Sequence, residues 1–318
     1  MVIYIWLITK VLIDFIQIIS IILLTLSLCV DVKEVDVMKK VDIICPLYNA
    51  EKYIGNLHKS FTMQKKVKIN KIRYVLTESG DSTEKYLKNH NIEYKKITKN
   101  EFSHSLIREK EAMESDSDII AFVTQDVVID DELWLYNLTK DIGKDDIVAT
   151  YSRQVTKYNN IEKYTREANY PAQSKVVSQS DIPKLGLKTF FFSDASSAID
   201  TNIFKKLNGY DGKNLPISED MYIAYKIITN GYKIKYCAES VVHHSHNFTL
   251  REVYDRYKLT GKFFKENSYL DNYGTNKSGG GLAKYVLKRA IQDKNFKAIL
   301  RFLPDMCARF IGMKVGKL

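Results

Sequence analysis

Cysteine is scarce in this 318-residue sequence. Cys29, Cys45, Cys237 and Cys307 are widely scattered, with no CxxC pair among them. Neither a zinc ribbon nor a disulfide framework is indicated, and a reducing compartment is the expected setting. Glycine-rich phosphate loops are missing too. No GxGxxG follows the first predicted strand, no GxxxxGKS/T occurs, and there is no GxSxG elbow. These absences argue against a dinucleotide-binding fingerprint, a P-loop and a serine hydrolase. Acidic residues are heavily outnumbered by basic ones at the C-terminal end. From Leu282 onward nine Lys/Arg face two Asp/Glu, so +7 of the formal charge of +10 lies there. A basic stretch interleaved with apolar residues fits an anionic membrane surface, and the near-neutral remainder gives no reason to expect a nucleic-acid partner.

Long uncharged runs are also lacking. The N-terminal segment, residues 1–37, is hydrophobic, but its longest uncharged run, residues 15–30, has 16 residues. That is about 24 Å of helix, short of the ~20 residues that usually span a bilayer. Tolerating Lys10 and Asp14 makes a membrane helix possible. The other reading is a start-site artefact, since Met38 precedes "KKVDIICPLYN", a natural beginning for a soluble domain. At the other end, residues 279–281 (GGG) are expected to close the preceding element. Leu282, Ala283, Val286, Leu287, Ala290 and Ile291 then repeat at helical spacing, with Lys284, Lys288 and Arg289 off the stripe. Phe296, Ile299, Leu300 and Leu303 continue it until Pro304, where an interruption is expected. Such a stripe serves either as a helix packed on the domain's own core or as an interfacial helix on a membrane. The tail, residues 279–318, is thus set apart from a body at 38–278.

That body alternates strands and helices. "VDIICPLYN" (41–49) reads as a buried strand meeting a loop, and Tyr53, Ile54, Leu57 and Phe61 follow at helical spacing. Strands are expected over 71–83 and 93–98, a helix over 103–114 with Ser103 as N-cap, and an apolar strand within 118–129. This pattern predicts an α/β domain with a mostly parallel sheet flanked by helices. Ligands of such sheets bind at the carboxyl ends of strands. Residues 46–49, 78–81 and 125–126 all fall at such ends. A carboxylate there, Asp126, suits a divalent cation bridging a diphosphate, although a single Asp after a strand also serves as a turn or cap residue. "SEDMYIAYKIITNG" reads as a helix with Ser218 at the N-cap, acids in its first turn and Gly231 past its end. Acids favour helix N-termini in any case, so Glu219 and Asp220 are not functional by position alone.

Taken together, seven motifs in order resemble the family 2 glycosyltransferases of the GT-A fold, and in particular their bacterial rhamnosyltransferase branch. They are "ICPLYNAEKYI", "TESGDSTE", "FSHSLIRE", "VTQDVVI", "FSDASSAI", "SEDMYIAYKI" and the closing "GYKIKYCAESVVHHSHNFTLREVYDRY". Departures include Glu78 where Asp is usual, Ser105 and Glu109 in the third motif, Asp194 where Asn is usual, and Lys226 where Arg is common. The resemblance spans roughly residues 40–265 and implies an inverting transferase using a nucleotide-sugar donor. It implies Asp220 as general base with Glu219 beside it, and Asp126 on Mg²⁺ or Mn²⁺. The donor nucleotide would lie against Pro46, Tyr48, Asn49, Glu51, Glu78 and Gln125, with His104 and Arg108 on phosphate or sugar. Ser193 and Asp194 would face the sugar or acceptor. The favoured donor is dTDP-L-rhamnose. The expected acceptor is a growing surface polysaccharide, on a saccharide or a polyprenyl-diphosphate lipid. Such an enzyme would work at the cytoplasmic face of the bacterial plasma membrane, peripheral or anchored by an N-terminal helix. The alternatives are a family member using a UDP-hexose, or an inactive sugar-nucleotide-binding module.

Histidine is the last scarcity. Of six in the chain, His243, His244 and His246 fall within four positions. No partner spacing supports a zinc site. In an extended chain His244 and His246 share one face and His243 points away. In the family reading His244 and His246 join Asp126 at the metal or contact phosphate, and His243 is a bystander.

Overall fold

The computed structural model describes residues 38–318 and, ahead of them, positions 1, 6, 10, 13 and 15–20 only. The membrane-helix and start-site readings of residues 1–37 lie for the most part outside the described residues. Among the described residues no helix is long and apolar enough to cross a membrane. The chain forms two compact units, Met1–Met38 and Lys39–Leu318, and the second contains the sheet.

Eight strands form that sheet. In chain order they are β1 (Lys40–Leu47), β2 (Lys68–Thr77), β3 (Tyr94–Ile97), β4 (Ile119–Val123), β5 (Ile147–Val155), β6 (Lys175–Val177), β7 (Ser196–Asp200) and β8 (Lys233–His243). Their spatial order is β3-β2-β1-β4-β7-β5-β8-β6. The first four are mutually parallel, as the sequence pattern predicts. The other half is mixed: β7 runs antiparallel to β4 and β5, and β6 antiparallel to β8. The α-helices of the second unit are α1 (Glu51–Thr62), α2 (Thr83–Asn89), α3 (His104–Met113), α4 (Trp134–Thr139), α5 (Ile161–Asn169), α6 (Ile182–Leu185), α7 (Thr201–Lys206), α8 (Glu219–Thr229), α9 (Leu250–Glu266), α10 (Thr275–Gln292) and α11 (Phe296–Lys317).

The central strand explains the layering. β4 is apolar at every position, and its side chains alternate between two cores. Ile119, Ala121 and Val123 join Leu57 and Phe61 of α1 and Trp134 and Leu138 of α4. Ile120 and Phe122 join Phe204 of α7 and Ile223 and Ile227 of α8. Each fully buried side chain of this kind contributes roughly 1.5–3 kcal/mol. The chain turns to opposite sides of the sheet after β1 and before β4, so their carboxyl ends border a topological switch point.

The tail corrects two expectations. Residues 279–281 lie within α10 rather than closing an element. A glycine weakens a helix by only about 1 kcal/mol, and the packed stripe beyond outweighs it: Val286 and Ala290 are buried against Ile161 and Tyr164 of α5. Ile291, placed on that stripe by its spacing, is instead exposed. Pro304 does not end the last helix, which runs through it. Its ring lies on the exposed side, and the opposite side is held by α9. That contact is close because it is built from glycines. A Cβ on Gly312 would lie 2.5 Å from the Tyr254 carbonyl, and Gly261 and Gly316 face each other. Gly312→Val should therefore force α11 off α9. We expect a loss of about 1–3 kcal/mol in urea unfolding, typical of overpacking, with earlier proteolytic cleavage in α11.

Candidate active site

At the end of β1 the backbone is clamped rather than left as a loose loop. The Tyr48 amide donates to Gln125 Oε1 at 2.7 Å, and Gln125 Nε2 donates back to the Tyr48 carbonyl at 2.7 Å. Gln125 thereby fixes the Pro46–Tyr48 lip and has its amide engaged. Asn49 is left-handed, with φ 49°, which turns the chain into α1. The acidic turn after β2 is tied to the same helix. The Glu51 amide donates to Asp81 Oδ2 at 2.9 Å, and the Ser82 amide donates to Glu51 Oε2 at 3.2 Å. Ser79 and Thr83 hydroxyls also bond Asp81. Asp81 is thus the carboxylate that builds this turn, which leaves Glu78 exposed at its edge.

Asp126 lies just beyond the end of β4. Two residues further on, Val128 and His243 exchange backbone hydrogen bonds of 2.9 Å in each direction, an antiparallel bridge onto the end of β8. That bridge carries the histidines to Asp126. His244 Nε2 lies 3.6 Å from Asp126 Oδ1, and His246 Nδ1 lies 3.7 Å from Oδ2. One ligand atom from each residue lies within 4.8 Å of the others, the one such metal-competent trio among the described residues. Burial, then repulsion from His244, lowers the pKa of His246 and favours the neutral ring that a metal needs. His243 points the other way, with Nε2 3.4 Å from Asp130. The alternation expected for the three histidines is the one observed.

A second constellation is buried beside this crevice. Arg108 is 2% exposed. Its Nη1 pairs with Glu219 Oε1, its Nη2 donates to the Asp194 carbonyl at 3.3 Å, and its guanidinium lies 5.9 Å from the Phe122 ring centre. The Asp194 carboxylate accepts from Ser197 Oγ at 2.7 Å and Tyr210 OH at 2.8 Å. Arg108, Asp194 and Glu219, expected against phosphate, sugar and the reacting groups, instead meet one another and Ser197 and Tyr210. Each of the three is buried, and the Arg108 and Glu219 charges are paired because a charge out of water must be, while Arg108 Nε has no partner. Asp220 differs. It is only half-buried, and its Oδ1 accepts the Met221 amide at 2.8 Å. Burial, then repulsion from Glu219 and Asp194, pushes its pKa well above the usual carboxylate range. Ser218 stands at the N-cap position as expected, but its side chain makes no capping bond and its φ is +63°, an uncommon conformation directly before the acids. His104 opens α3 beside Phe102, and burial, then Arg108 and Arg256, pushes its pKa down to about 4. Ser103 caps that helix as expected, accepting from the Leu106 amide. Ser193 accepts a hydrogen bond from Gln154 Nε2 at 2.8 Å.

A mixed sheet flanked by helices, parallel through β3-β2-β1-β4 and carrying a metal-competent trio beyond the end of β4, has the GT-A architecture. The chain belongs to glycosyl transferase family 2, which matches residues 42–207. It is 33% identical over 288 residues to the O-antigen chain rhamnosyltransferase RfbN of Salmonella typhimurium, covering 87% of this chain and 90% of that one. It is 33% identical over 226 residues to the O-antigen chain rhamnosyltransferase WbaN of Salmonella anatum, covering 70% and 71%. The mannosyltransferase PcManGT from Pyrobaculum calidifontis, solved with GDP-Man and Mn²⁺, superposes with a TM-score of 0.50 at 12% identity over 88% of this chain and 74% of that chain. At that identity the likeness shows the fold alone. The family and GT-A fold that the motifs implied are the ones found, and the protein is a glycosyltransferase.

The buried pair has a measurable consequence. Arg108→Met should destabilise the protein by about 3–5 kcal/mol in urea unfolding, the usual effect of stranding a buried charge. Adding Glu219→Gln should recover much of that loss.

Proposed function

We propose that this enzyme transfers L-rhamnose from dTDP-L-rhamnose, with inversion, onto a growing surface polysaccharide carried by a saccharide or polyprenyl-diphosphate acceptor. The supporting observation for the donor is the 33% identity, across most of the chain, to two proteins named O-antigen chain rhamnosyltransferases. Asp220 is the general base. It takes the acceptor hydroxyl proton as that oxygen bonds to C1 and the C1–O bond to the diphosphate breaks, releasing dTDP. Its raised pKa suits it to accept a proton, and its remaining exposure leaves it reachable. Pro46, Tyr48 and Asn49 form the lip against the nucleotide. Glu51 and Glu78 lie at its acidic edge, with His104 towards the phosphates and Ser193 towards the sugar.

Asp126, His244 and His246 would hold a divalent cation. One carboxylate and two imidazoles fit a first-row ion such as Mn²⁺ better than Mg²⁺, which prefers oxygen ligands. When bound, such an ion supplies positive charge for the departing diphosphate.

Asp220→Asn should bind donor normally and lose about 10²–10⁴-fold in turnover. Because the base acts only when ionised, wild-type turnover should rise with pH through a pKa above the ordinary Asp range. Turnover should be compared with dTDP-rhamnose, UDP-glucose and UDP-galactose as donors. Turnover with a UDP-hexose and none with dTDP-rhamnose would reject the rhamnosyl reading. Unchanged turnover in Asp220→Asn would reject the base.

The same reading places the enzyme on the cytoplasmic face of the plasma membrane, and α11 offers the contact. Phe296, Leu300, Leu303, Phe310 and Ile311 are all exposed, Leu300 at 80%. Their spacing puts them on one stripe, away from the face that meets α9. Lys297, exposed, borders the stripe on one side, and Lys314, also exposed, continues its line one turn beyond Phe310. A basic-edged apolar helix face complements an anionic lipid surface. Phe296, Leu300 and Leu303 belong to the stripe that the sequence put forward, whereas Val286 and Ala290 of its first part are buried against α5. Leu300→Glu/Leu303→Glu should abolish co-sedimentation with phosphatidylglycerol vesicles and leave turnover of a water-soluble acceptor unchanged. If the wild type ignores vesicles and the double variant instead dissolves a dimer, the face belongs to a second copy.

A further inference from the structure

Gln154, in β5, is 2% exposed and stands at the junction of three segments. Its Oε1 meets Arg166 Nη1 of α5 and lies 2.8 Å from His244 Nδ1, while its Nε2 donates to Ser193 Oγ at 2.8 Å. These partners fix every proton in the contact. A guanidinium only donates, so the Gln154 atom facing Arg166 must be the oxygen. That oxygen is an acceptor only, so His244 Nδ1 must carry a hydrogen. The unprotonated nitrogen of a neutral His244 is then Nε2, the atom 3.6 Å from Asp126 Oδ1. A lone pair and a carboxylate oxygen facing each other repel, and a cation between them removes the repulsion. The same arginine reaches the second histidine. Arg166 Nη2 donates to Glu162 Oε1 at 2.8 Å, and Glu162 Oε2 accepts the His246 amide at 3.1 Å.

We propose that Gln154 is a positioning residue that locks the His244 ring in the Nδ1–H form, presenting Nε2 to a divalent cation shared with Asp126. Arg166 and Glu162 extend the hold to His246, and Ser193 connects it to the turn before β7. This role rests on the proposed metal site at Asp126, His244 and His246. Metal-binding histidines generally need a partner on their second nitrogen, and losing that partner weakens metal binding about 10–100-fold.

The test uses full-length protein without donor, with Mn²⁺ binding measured by EPR of the free ion. Gln154→Met keeps the side-chain volume and removes the acceptor, and Gln154→Glu keeps an acceptor for both Arg166 and His244. Gln154→Met should weaken Mn²⁺ binding about 10–100-fold, and Gln154→Glu should retain wild-type affinity or exceed it. In metal-free protein, long-range ¹⁵N–¹H spectra should show His244 as the Nδ1–H form in wild type and Gln154→Glu, and as a mixture in Gln154→Met. Equal Mn²⁺ affinity in wild type and Gln154→Met overturns the proposal alone. So does a Gln154→Glu variant that folds but loses Mn²⁺ as fully as Asp126→Ala. Should Gln154→Met not fold, the Gln154→Glu affinity and the wild-type spectrum decide, an Nε2–H form in wild type rejecting the lock. Absence of Mn²⁺ binding by the wild type, unchanged in Asp126→Ala, overturns the metal reading and this role with it.

Discussion

The buried guanidinium of Arg108 is the constraint on which the catalytic side of the molecule depends. A charge with 2% exposure persists only if it is paired, and Arg108 pairs with one carboxylate and donates to one backbone carbonyl, with Nε left without a partner. Those partners lie on α8 and on the turn before β7, far apart in sequence. Desolvation therefore does what a covalent tie would do: it sets the start of α8 relative to α3 and to the sheet. Asp220 follows Glu219 directly, so the pair also sets the place and the electrostatic surroundings of the proposed base. Repulsion from Glu219 and Asp194 adds to burial in raising the Asp220 pKa.

The other side of the crevice is organised by backbone bridging and by a side-chain network that includes the Arg166–Glu162 ion pair. The chain leaving β4 is bridged to the end of β8 through Val128 and His243, and this short antiparallel contact sets His244 and His246 against Asp126. Gln154 meets the His244 ring and Glu162 the His246 amide, and Arg166 joins the two. One side of the site is held by a buried ion pair and the other by a polar network. The two meet at the turn of residues 193–194, where Ser193 bonds Gln154 and the Asp194 carbonyl bonds Arg108.

Much of this was legible in the sequence. Alternation and apolar runs marked β1 to β4, and Ser103 marked the start of α3, because these signals depend on neighbouring residues. The sequence pointed to Asp126 and to the two histidines whose rings lie beside it, since strand periodicity alone separates His243 from His244 and His246. What was not legible shares one cause. The mutual burial of Arg108, Asp194 and Glu219 gave no signal because spacing along a helix or turn does not say which distant polar side chain another will meet. Gln154 gave no signal, as its partners lie 12, 39 and 90 residues away. In the tail, periodicity showed apolar stripes but not which one α5 and α9 would cover.

By itself the sequence determined the α/β alternation, the strand-end position of the acidic residues and the family, all properties of local order along the chain. Only the tertiary structure decided which carboxylates are counter-ions and which keep solvent access, which imidazole nitrogen faces Asp126, and which face of α11 is left bare. Those outcomes follow from desolvation and from contacts between distant segments, which exist only once the sheet has brought those segments together.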